Sequence, residues 1–404
     1  MGFEIQNNIL KKYIADENGT DIIIPYGITE IGRFCFQDGH NIKNIAVPDT
    51  VRKIDRFAFE YCKKLVNIKI PLSVVIIEDY AFSYCESLEY MYIPESVKYI
   101  GDNIFNGCKN LQKIDISEKN PNYIIIDNVL FSRNMSNLLS YTISKTDKYY
   151  CVPEKVIRIG SSAFSGSILE NIYFPKSLNT IEHLAFSGCE NLENIKLSGN
   201  AVSLNSMTFL NCKSLKSIDI PLSVRNIRNY CFDNCTSLES VKMPFSAEVD
   251  ESAFLHCSSI RNLTLFDKKF TFSLHTEKNI RYSDIKKLLA FFESDLSEEN
   301  FSLIKRSDCK IPVALFMLRN FENDFFCRYI QKNIRKAVKI LTDENNSDTL
   351  KKVLFFKLIG RKYIDEMIEY AENTGKINIK NLLEIYKIKN KLWYGYWIFQ
   401  IYMI

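Results

Sequence analysis

Residues 48–70 read PDTVRKIDRFAFEYCKKLVNIKI, and this stretch of 23 residues decides the fold. Its small and apolar residues follow the order Pro, Val, Ile, Ala-Phe, Cys, Leu, Ile and Ile. The order returns along the chain, and its first four prolines are spaced by 23 residues. The prolines in this position are Pro25, Pro48, Pro71, Pro94, Pro153, Pro175, Pro221 and Pro244.

Other columns of the unit keep the same spacing and define nine units. The aromatic column contains Phe36, Phe59, Phe82, Phe105, Phe164, Phe186, Phe209, Phe232 and Phe254. The cysteine column contains Cys62, Cys85, Cys108, Cys189, Cys212, Cys235 and Cys257. A repeat of 20 to 29 residues with this apolar order is typical of a leucine-rich-repeat solenoid.

The physics of stacked turns explains the columns. One turn cannot bury its own apolar side chains, so each column is buried against the same column of the next turn. The segment Leu-x-x-Ile-x-Ile alternates apolar and polar residues, which predicts a strand with one buried face. Nine turns would give one parallel sheet about 40 Å long, since strands lie about 4.8 Å apart. The Ala-Phe pair should lie on the opposite wall, in a short helical turn.

The unit resembles the BspA-like leucine-rich-repeat family, also called the type-5 leucine-rich repeat. The residues that carry the resemblance in the second unit are Pro48, Val51, Ile54, Ala58, Phe59, Cys62, Leu65, Ile68 and Ile70. Known members are repeat scaffolds on bacterial surfaces, in some protists and in the bacterial cytoplasm. The resemblance therefore implies a β-solenoid that binds and does not catalyse.

Three regions are expected along the chain. Residues 1–24 should form an N-terminal capping hairpin, and residues 25–265 the solenoid, with a hairpin insertion at 117–152. From Tyr282 the apolar period becomes helical, so residues 266–404 are expected to form an all-α domain with an apolar tail at 392–404. Its helix pairs weakly resemble ankyrin repeats but lack the Thr-Pro-Leu-His signature.

Seven aligned cysteines could form a metal ladder or a chain of disulfides. However, structural zinc usually needs Cys-x-x-Cys pairs, and the sequence has none. Cysteine is also a small apolar residue that is often fully buried. We therefore interpret the column as core filler in a reducing compartment, with no metal site.

The composition and the absence of catalytic motifs argue against enzymatic activity. Of 404 residues, 46% are hydrophobic and 25% are charged, the balance of an ordinary globular protein. The four histidines do not form a His-Glu-x-x-His motif, and no phosphate-binding loop or Gly-x-Ser-x-Gly elbow occurs. The sequence therefore predicts neither enzymatic activity nor a cofactor.

Alternation along each strand identifies the side chains that should point outward on the concave face of the parallel sheet. Solenoids present such a face as an extended binding surface. The residues selected as a candidate binding surface are Asn67, Lys69, Tyr90, Tyr92, Lys113, Asp115, Tyr173, Lys196, Asp219 and Lys242. Exposed tyrosines are enriched at interfaces, although strands also favour tyrosine for its propensity alone, so both interpretations of the three tyrosines stay open.

The charge distribution does not favour nucleic acid as a partner. The net charge is only +4. The densest basic stripe comprises Lys332, Arg335, Lys336 and Lys339, which a solvated helix face explains more simply. The tail at 392–404 contains both tryptophans but is too short to span a membrane. It could be an interfacial anchor, a docking segment, a piece packed on the helical domain, or a disordered, aggregation-prone end.

These observations predict a non-catalytic scaffold that binds a protein partner of unknown identity. The first residues show neither a basic segment nor an apolar core of a secretory signal, so a cytoplasmic location is expected. The alternative is a cell-surface adhesin or surface antigen of BspA-like type, exported by a non-classical route. No transmembrane segment is predicted.

Overall fold

The computed structural model describes residues 2–14, 20–37, 39–142, 145–197, 200, 203–293, 296, 298–321 and 323–401. The chain divides into two compact units. The first comprises Met1–Asp267 with Asn279–Tyr282, and the second comprises Lys268–Lys278 with Ser283–Ile404. The first unit is a β-solenoid and the second is mainly helical, as the sequence predicts.

Every regular turn of the solenoid contributes two short strands. The longer strand comes from the predicted Leu-x-x-Ile-x-Ile segment, and we call its sheet the face sheet. These face strands are β3 (Asp21–Ile23), β5 (Asn44–Ala46), β7 (Asn67–Ile68), β9 (Tyr90–Ile93), β11 (Lys113–Ile116), β15 (Tyr149–Cys151), β17 (Asn171–Tyr173), β19 (Asn194–Lys196), β21 (Ser217–Asp219), β23 (Ser240–Pro244) and β25 (Asn262–Phe266).

The second strand of each turn surrounds the Ile of the Val-x-x-Ile segment, and the sequence did not reveal it as a strand. We call its sheet the back sheet. Its short strands are β4 (Glu30–Ile31), β6 (Lys53–Ile54), β8 (Ile76–Ile77), β10 (Tyr99–Ile100), β16 (Arg158–Ile159), β18 (Thr180–Ile181), β20 (Ser203–Leu204), β22 (Asn226–Ile227) and β24 (Glu248–Val249). Two residues are too few to show an alternating pattern.

An N-terminal hairpin pairs β1 (Gly2–Gln6) with β2 (Ile9–Ile14) in antiparallel fashion. Strand β2 then pairs in parallel with β4, so the hairpin joins the back sheet. Tyr13 is buried, and its ring lies 5.3 Å from the ring of Phe36. The hairpin therefore covers the first aromatic ring of the solenoid.

The solenoid has about eleven turns, whereas nine were predicted from the sequence. The two additional turns contain β3 and β15, whose segments lack the cysteine and leucine columns. The expectation of one continuous face sheet was also wrong. Strands β3 to β11 form one parallel sheet and β15 to β25 belong to another, because the insertion separates them.

The insertion is a meander of β12 (Tyr123–Ile126), β13 (Val129–Ser132) and β14 (Asn137–Tyr141). Strand β14 also pairs in parallel with β16, so the meander continues into the back sheet. Val129, Leu130 and Phe131 are at most 1% exposed, which anchors β13 in the core. The burial of these apolar side chains explains why the insertion forms strands and not an irregular loop.

The wall between the two sheets consists of turns and not of the short helical turn that was expected. Phe57 and Tyr61 both have φ of 58°, in the left-handed region. Every second amide of this wall bonds the next turn of the solenoid: Phe59 N–H donates to the Ala81 carbonyl at 2.9 Å. The intervening amides donate to carbonyls three residues back in their own turn, so the continuous hydrogen-bond ladder of an α-helix does not form.

The aromatic column is a continuous stack through the core. The ring of Phe59 lies 5.1 Å from that of Phe36 and 5.3 Å from that of Phe82, and the planes are nearly parallel. Phe105 departs from the prediction, because it is only half-buried and its ring is 6.5 Å from Phe82. Phe105 belongs to the last turn before the insertion, so its outer side has no regular turn packed on it.

The cysteine column forms a hydrogen-bonded ladder. The thiol of Cys85 donates to the carbonyl of Phe59 at 3.2 Å, and Cys108 donates to the carbonyl of Phe82 at 3.1 Å. The other five members make the same bond to the preceding turn. Burial raises the pKa of the Cys108 thiol to about 12 and that of Cys189 to about 11. All twelve cysteines carry free thiols.

The second unit contains a strand, although residues 266–404 were expected to form an all-α domain. This strand and the helices are β26 (Thr271–His275), α1 (Tyr282–Glu293), α2 (Glu298–Leu303), α3 (Ser307–Asn320), α4 (Asp324–Lys332), α5 (Ile334–Asp343), α6 (Ser347–Phe355), α7 (Arg361–Asn373) and α8 (Ile377–Ile401). Phe291, Phe301 and Phe326 are fully buried and pack edge to face. The backbone of the apolar tail is helical as far as Ile401, and residues 402–404 lie outside the described part.

We expect Phe82→Ala to lower the free energy of unfolding by about 3–5 kcal/mol, because it removes a fully buried ring from the middle of a stack. Phe105→Ala is the matched control and should cost less, since that ring is half-buried. Denaturant melts of the two variants measure the difference. Equal losses would contradict the stacked-column interpretation.

We expect Cys151 to react fastest with a thiol reagent at pH 8, because it is exposed, whereas the other eleven cysteines are buried or half-buried. The buried ladder thiols should react slowly in the native state and rapidly after denaturation, since burial limits access and raises their pKa. Cys151→Ser should remove the fast phase. A fast phase of several thiols in that variant would show that the ladder is accessible.

Candidate functional site

The face sheet presents two outward columns of side chains, separated by an inward apolar residue. In β9, Tyr90 and Tyr92 are exposed to 39% each, whereas Met91 and Ile93 between and beyond them are fully buried. The pattern repeats because parallel pairing keeps equivalent residues side by side: Tyr90 is opposite Lys113, as β9 pairs with β11. The structure therefore aligns outward residues of successive turns.

The ten residues selected from the sequence all lie at outward positions of the face. Eight are exposed, and Asp115 and Lys242 are half-buried by their neighbours. The split of the face sheet divides the ten into two groups. The group on the first sheet is Asn67, Lys69, Tyr90, Tyr92, Lys113 and Asp115, and the group on the second sheet is Tyr173, Lys196, Asp219 and Lys242. Their role in binding stays a prediction.

The first group is held together by polar contacts. The Tyr90 hydroxyl donates to the Asp115 carboxylate at 3.2 Å, and Lys113 Nζ lies 2.8 Å from the same carboxylate. Partial burial and the nearby Asp115 raise the pKa of the Tyr90 phenol. The phenol therefore stays a neutral hydrogen-bond donor at physiological pH, which fixes the orientation of an otherwise exposed ring.

The second group forms one column in which Tyr173, Lys196, Asp219 and Lys242 are successive neighbours. Lys242 Nζ lies 2.9 Å from Asp219 and 5.1 Å from the centre of the Phe266 ring. Lys196 has no carboxylate within ion-pair distance among the described residues, and the same holds for Lys69 in the first group. The ten candidate residues together therefore carry a net positive charge.

Sequence reasoning missed one part of the face. Tyr149 and Cys151 belong to β15 and are opposite Asn171 and Tyr173, so they extend both columns of the second sheet. Tyr149 is 60% exposed. The available signal was Pro153, which follows Tyr149 by four residues, just as Pro94 follows Tyr90. The insertion predicted at 117–152 included this turn instead.

The described face strands present no arrangement of side chains typical of a catalytic or metal site. None of the four histidines lies in the eleven face strands that the structure describes. Across the described residues, no cluster of three or more His, Cys, Asp or Glu side chains could hold a metal ion. His256 instead contacts Asp233 in the turn wall at 2.8 Å.

The basic stripe of the second unit is largely engaged. The guanidinium of Arg335 lies 2.9 Å from Glu366 and 4.4 Å from the centre of the Tyr363 ring. Lys339 lies 5.5 Å from the centre of the Tyr370 ring. Lys336 Nζ lies 3.5 Å from the hydroxyl of Ser307, so contacts to neighbouring helices engage three of the four cations. Within the described residues, no helix is long and apolar enough to cross a membrane.

Stacked two-stranded turns with this consensus define a leucine-rich-repeat solenoid. The chain belongs to the family described as BspA type leucine rich repeat region, which matches residues 7–138 and 141–261 in six copies. The matched ranges together exceed half of the chain, and they confirm the resemblance expected from the sequence.

Several solved structures are also similar to this chain. A leucine-rich cell surface protein from Faecalibacterium prausnitzii is 24% identical, with a TM-score of 0.42, over 66% of this chain and 93% of that one. The pneumococcal vaccine antigen PcpA is 19% identical, with a TM-score of 0.49, over 66% and 91%. A leucine-rich-repeat protein from Eubacterium ventriosum is 21% identical, with a TM-score of 0.49, over 63% and 83%. No curated protein matches the chain.

We expect Ile93→Ala to destabilise the solenoid by about 2–5 kcal/mol, because this inward side chain is fully buried. Tyr92→Ala, its outward neighbour, should change the free energy of unfolding by less than about 1 kcal/mol. Denaturant melts of both single variants test the strand register. A larger loss of stability in Tyr92→Ala than in Ile93→Ala would show that the side chains predicted to point outward point inward.

Proposed function

We propose that the chain is a non-catalytic scaffold that binds a protein partner on the face sheet. The observation that carries the proposal is the set of exposed tyrosines, Tyr90, Tyr92 and Tyr173, at outward positions of mostly polar columns. Family membership supports a repeat scaffold, and a rigid row of strands keeps such side chains in fixed positions. Tyrosine offers a large contact area and loses little entropy when it is immobilised.

The structure adds Tyr149 to this surface. Together with Tyr173 it places two exposed rings on adjacent strands of the second sheet, while Tyr90 and Tyr92 lie on one strand of the first. The two pairs would act as the aromatic anchors of the interface. The remaining polar residues would provide its rim, where contacts add specificity more than affinity.

The charges suggest which partner surface fits. Two ion pairs already neutralise charge within the face, because Lys113 pairs with Asp115 and Lys242 pairs with Asp219. Among the residues that the structure describes, no carboxylate pairs with Lys69 or Lys196, so a partner with acidic groups opposite them would gain complementary contacts. We therefore propose a protein ligand with an acidic surface, and we expect its association rate to fall as ionic strength increases.

The free thiols support a reducing location for this function. Twelve free cysteines, most of them in a core column, would be prone to mispairing if the chain folded in an oxidising compartment. We propose the cytoplasm, with a surface adhesin or antigen as the alternative. Cell fractionation separates the two: recovery of the protein outside the cell with its thiols oxidised would overturn the cytoplasmic proposal.

Replacing Tyr90, Tyr92 and Tyr173 together by Ala should weaken partner binding by at least about tenfold, since central aromatic anchors are often worth about 2 kcal/mol each. The partner is first captured with the intact chain and purified, and its affinity is then measured by calorimetry. The fold should be preserved, because these side chains contribute little to the core.

The matched control is Tyr26→Ala, which removes a ring that is 81% exposed and lies outside the face strands. Its affinity for the partner should equal that of the unmodified chain. If the triple variant is folded and binds normally, the partner does not use the face and the proposal is wrong.

A further inference from the structure

A cleft forms where the insertion interrupts the back sheet. Strand β10 pairs with β8 on one side and is the last strand of that sheet. On its other side the insertion supplies side chains instead of a strand. Ile100 N–H donates to the Tyr123 hydroxyl at 2.8 Å, and the Asn122 amide donates to the Lys98 carbonyl at 2.7 Å. The resulting insertion cleft has a volume of about 570 Å³.

The insertion cleft is lined by an excess of positive charge. Its charged side chains are Lys98, Asp102, Arg133 and Arg158. Arg158 is already neutralised, because its guanidinium contacts Asp102 and Glu182 at 3.0 Å each. Lys98 and Arg133 have no carboxylate within ion-pair distance in the described part of the chain. Two uncompensated cations therefore face one cleft.

The loop that carries Arg133 is fixed by its own hydrogen bonds. The Arg133 N–H donates to the Asn122 carbonyl at 2.6 Å. The Asn134 side-chain oxygen accepts from the hydroxyls of Ser132 and Ser136, both at 2.8 Å. Because the backbone is ordered before any ligand arrives, less entropy is lost when Arg133 binds an anion.

Neutral groups complete the lining. The half-buried side chain of Asn137 borders the cleft, and the ring of Tyr99 lies beside it, 45% exposed. An amide can donate to or accept from hydroxyl groups, and an aromatic ring can cover an apolar face. Ligand pockets commonly enclose about 300–1,000 Å³, so the cleft matches a small molecule in size.

We propose that the insertion cleft binds a small polar molecule of about monosaccharide size that carries a carboxylate or a phosphate. Lys98 and Arg133 would bind the anionic group, and Asn137 would bind a neutral polar group. An extended peptide that adds a strand to β10 fits less well, because Tyr123 and Asn122 already bond to that edge. The site is separate from the face sheet and does not depend on the protein partner proposed above.

Calorimetry of the full chain at low ionic strength tests the site, with glucuronate, glucose 6-phosphate and glucose as probes. We expect at least one of the two acids to bind saturably at one site, and glucose to bind at least about tenfold more weakly, because hydrogen bonds to charged groups are the stronger ones. If neither acid binds saturably, the proposal is wrong.

The double variant Lys98→Gln, Arg133→Gln should weaken binding of the acid by at least about tenfold, and thermal melts should show an unchanged fold because both side chains are exposed. The matched control is Lys11→Gln, Lys64→Gln, which removes the same charge from exposed side chains outside the cleft and outside the face sheet. If both variants weaken binding equally, the effect is one of net charge and the site is refuted.

A third variant tests the position independently of charge. Asn137→Leu replaces a lining amide by a bulkier apolar side chain and leaves both cations in place. It should also weaken binding of the acid. Normal affinity in this folded variant would place the anion outside the insertion cleft and overturn the proposal.

Discussion

The burial of each side chain by its own equivalents in neighbouring turns is the interaction on which the structure depends. A single turn of 23 residues has almost no interior. Phe59 is buried because Phe36 and Phe82 cover its two faces, and every second wall amide donates to a carbonyl of the next turn. The whole solenoid therefore depends on constant register, and an interruption exposes what the next turn would have covered.

This constraint also explains where binding residues can lie. Inward positions must repeat, whereas outward positions of the face strands contribute little to the core and can vary. Tyrosine, lysine, aspartate and asparagine alternate there without disturbing the stack. The insertion has the opposite effect, because it breaks the repetition: it splits the face sheet, leaves Phe105 half-buried and opens the insertion cleft beside β10. One candidate site thus lies where the repeat permits variation, and the other lies where the repeat is interrupted.

The same reasoning shows what the sequence could predict. Columns such as the Phe column are visible because one physical environment repeats many times. The face strand was predicted because alternation extends over several residues. The back strands were missed, since a pair such as Lys53-Ile54 carries no period. The left-handed turns were missed because aromatic residues such as Phe57 rarely adopt positive φ, and contacts with neighbouring turns, namely ring stacking and inter-turn hydrogen bonds, hold them there. Tyr149 was missed because the insertion displaced its turn from the period.

The cysteine column shows how one residue type meets two requirements of a stacked turn. The position must be small, because it is enclosed between neighbouring turns, and a hydrogen-bond donor can reach the carbonyl of the preceding Phe. A thiol satisfies both, since it packs as an apolar group and still donates weakly. In the turn of Phe164 the position is occupied by Ser167, which is 3% exposed and lies 3.3 Å from the sulfur of Cys189. A hydroxyl and a thiol thus share one column, and in the turn of Phe36 the same position is Gly39. Small size, rather than thiol reactivity, is therefore what the members of the column have in common.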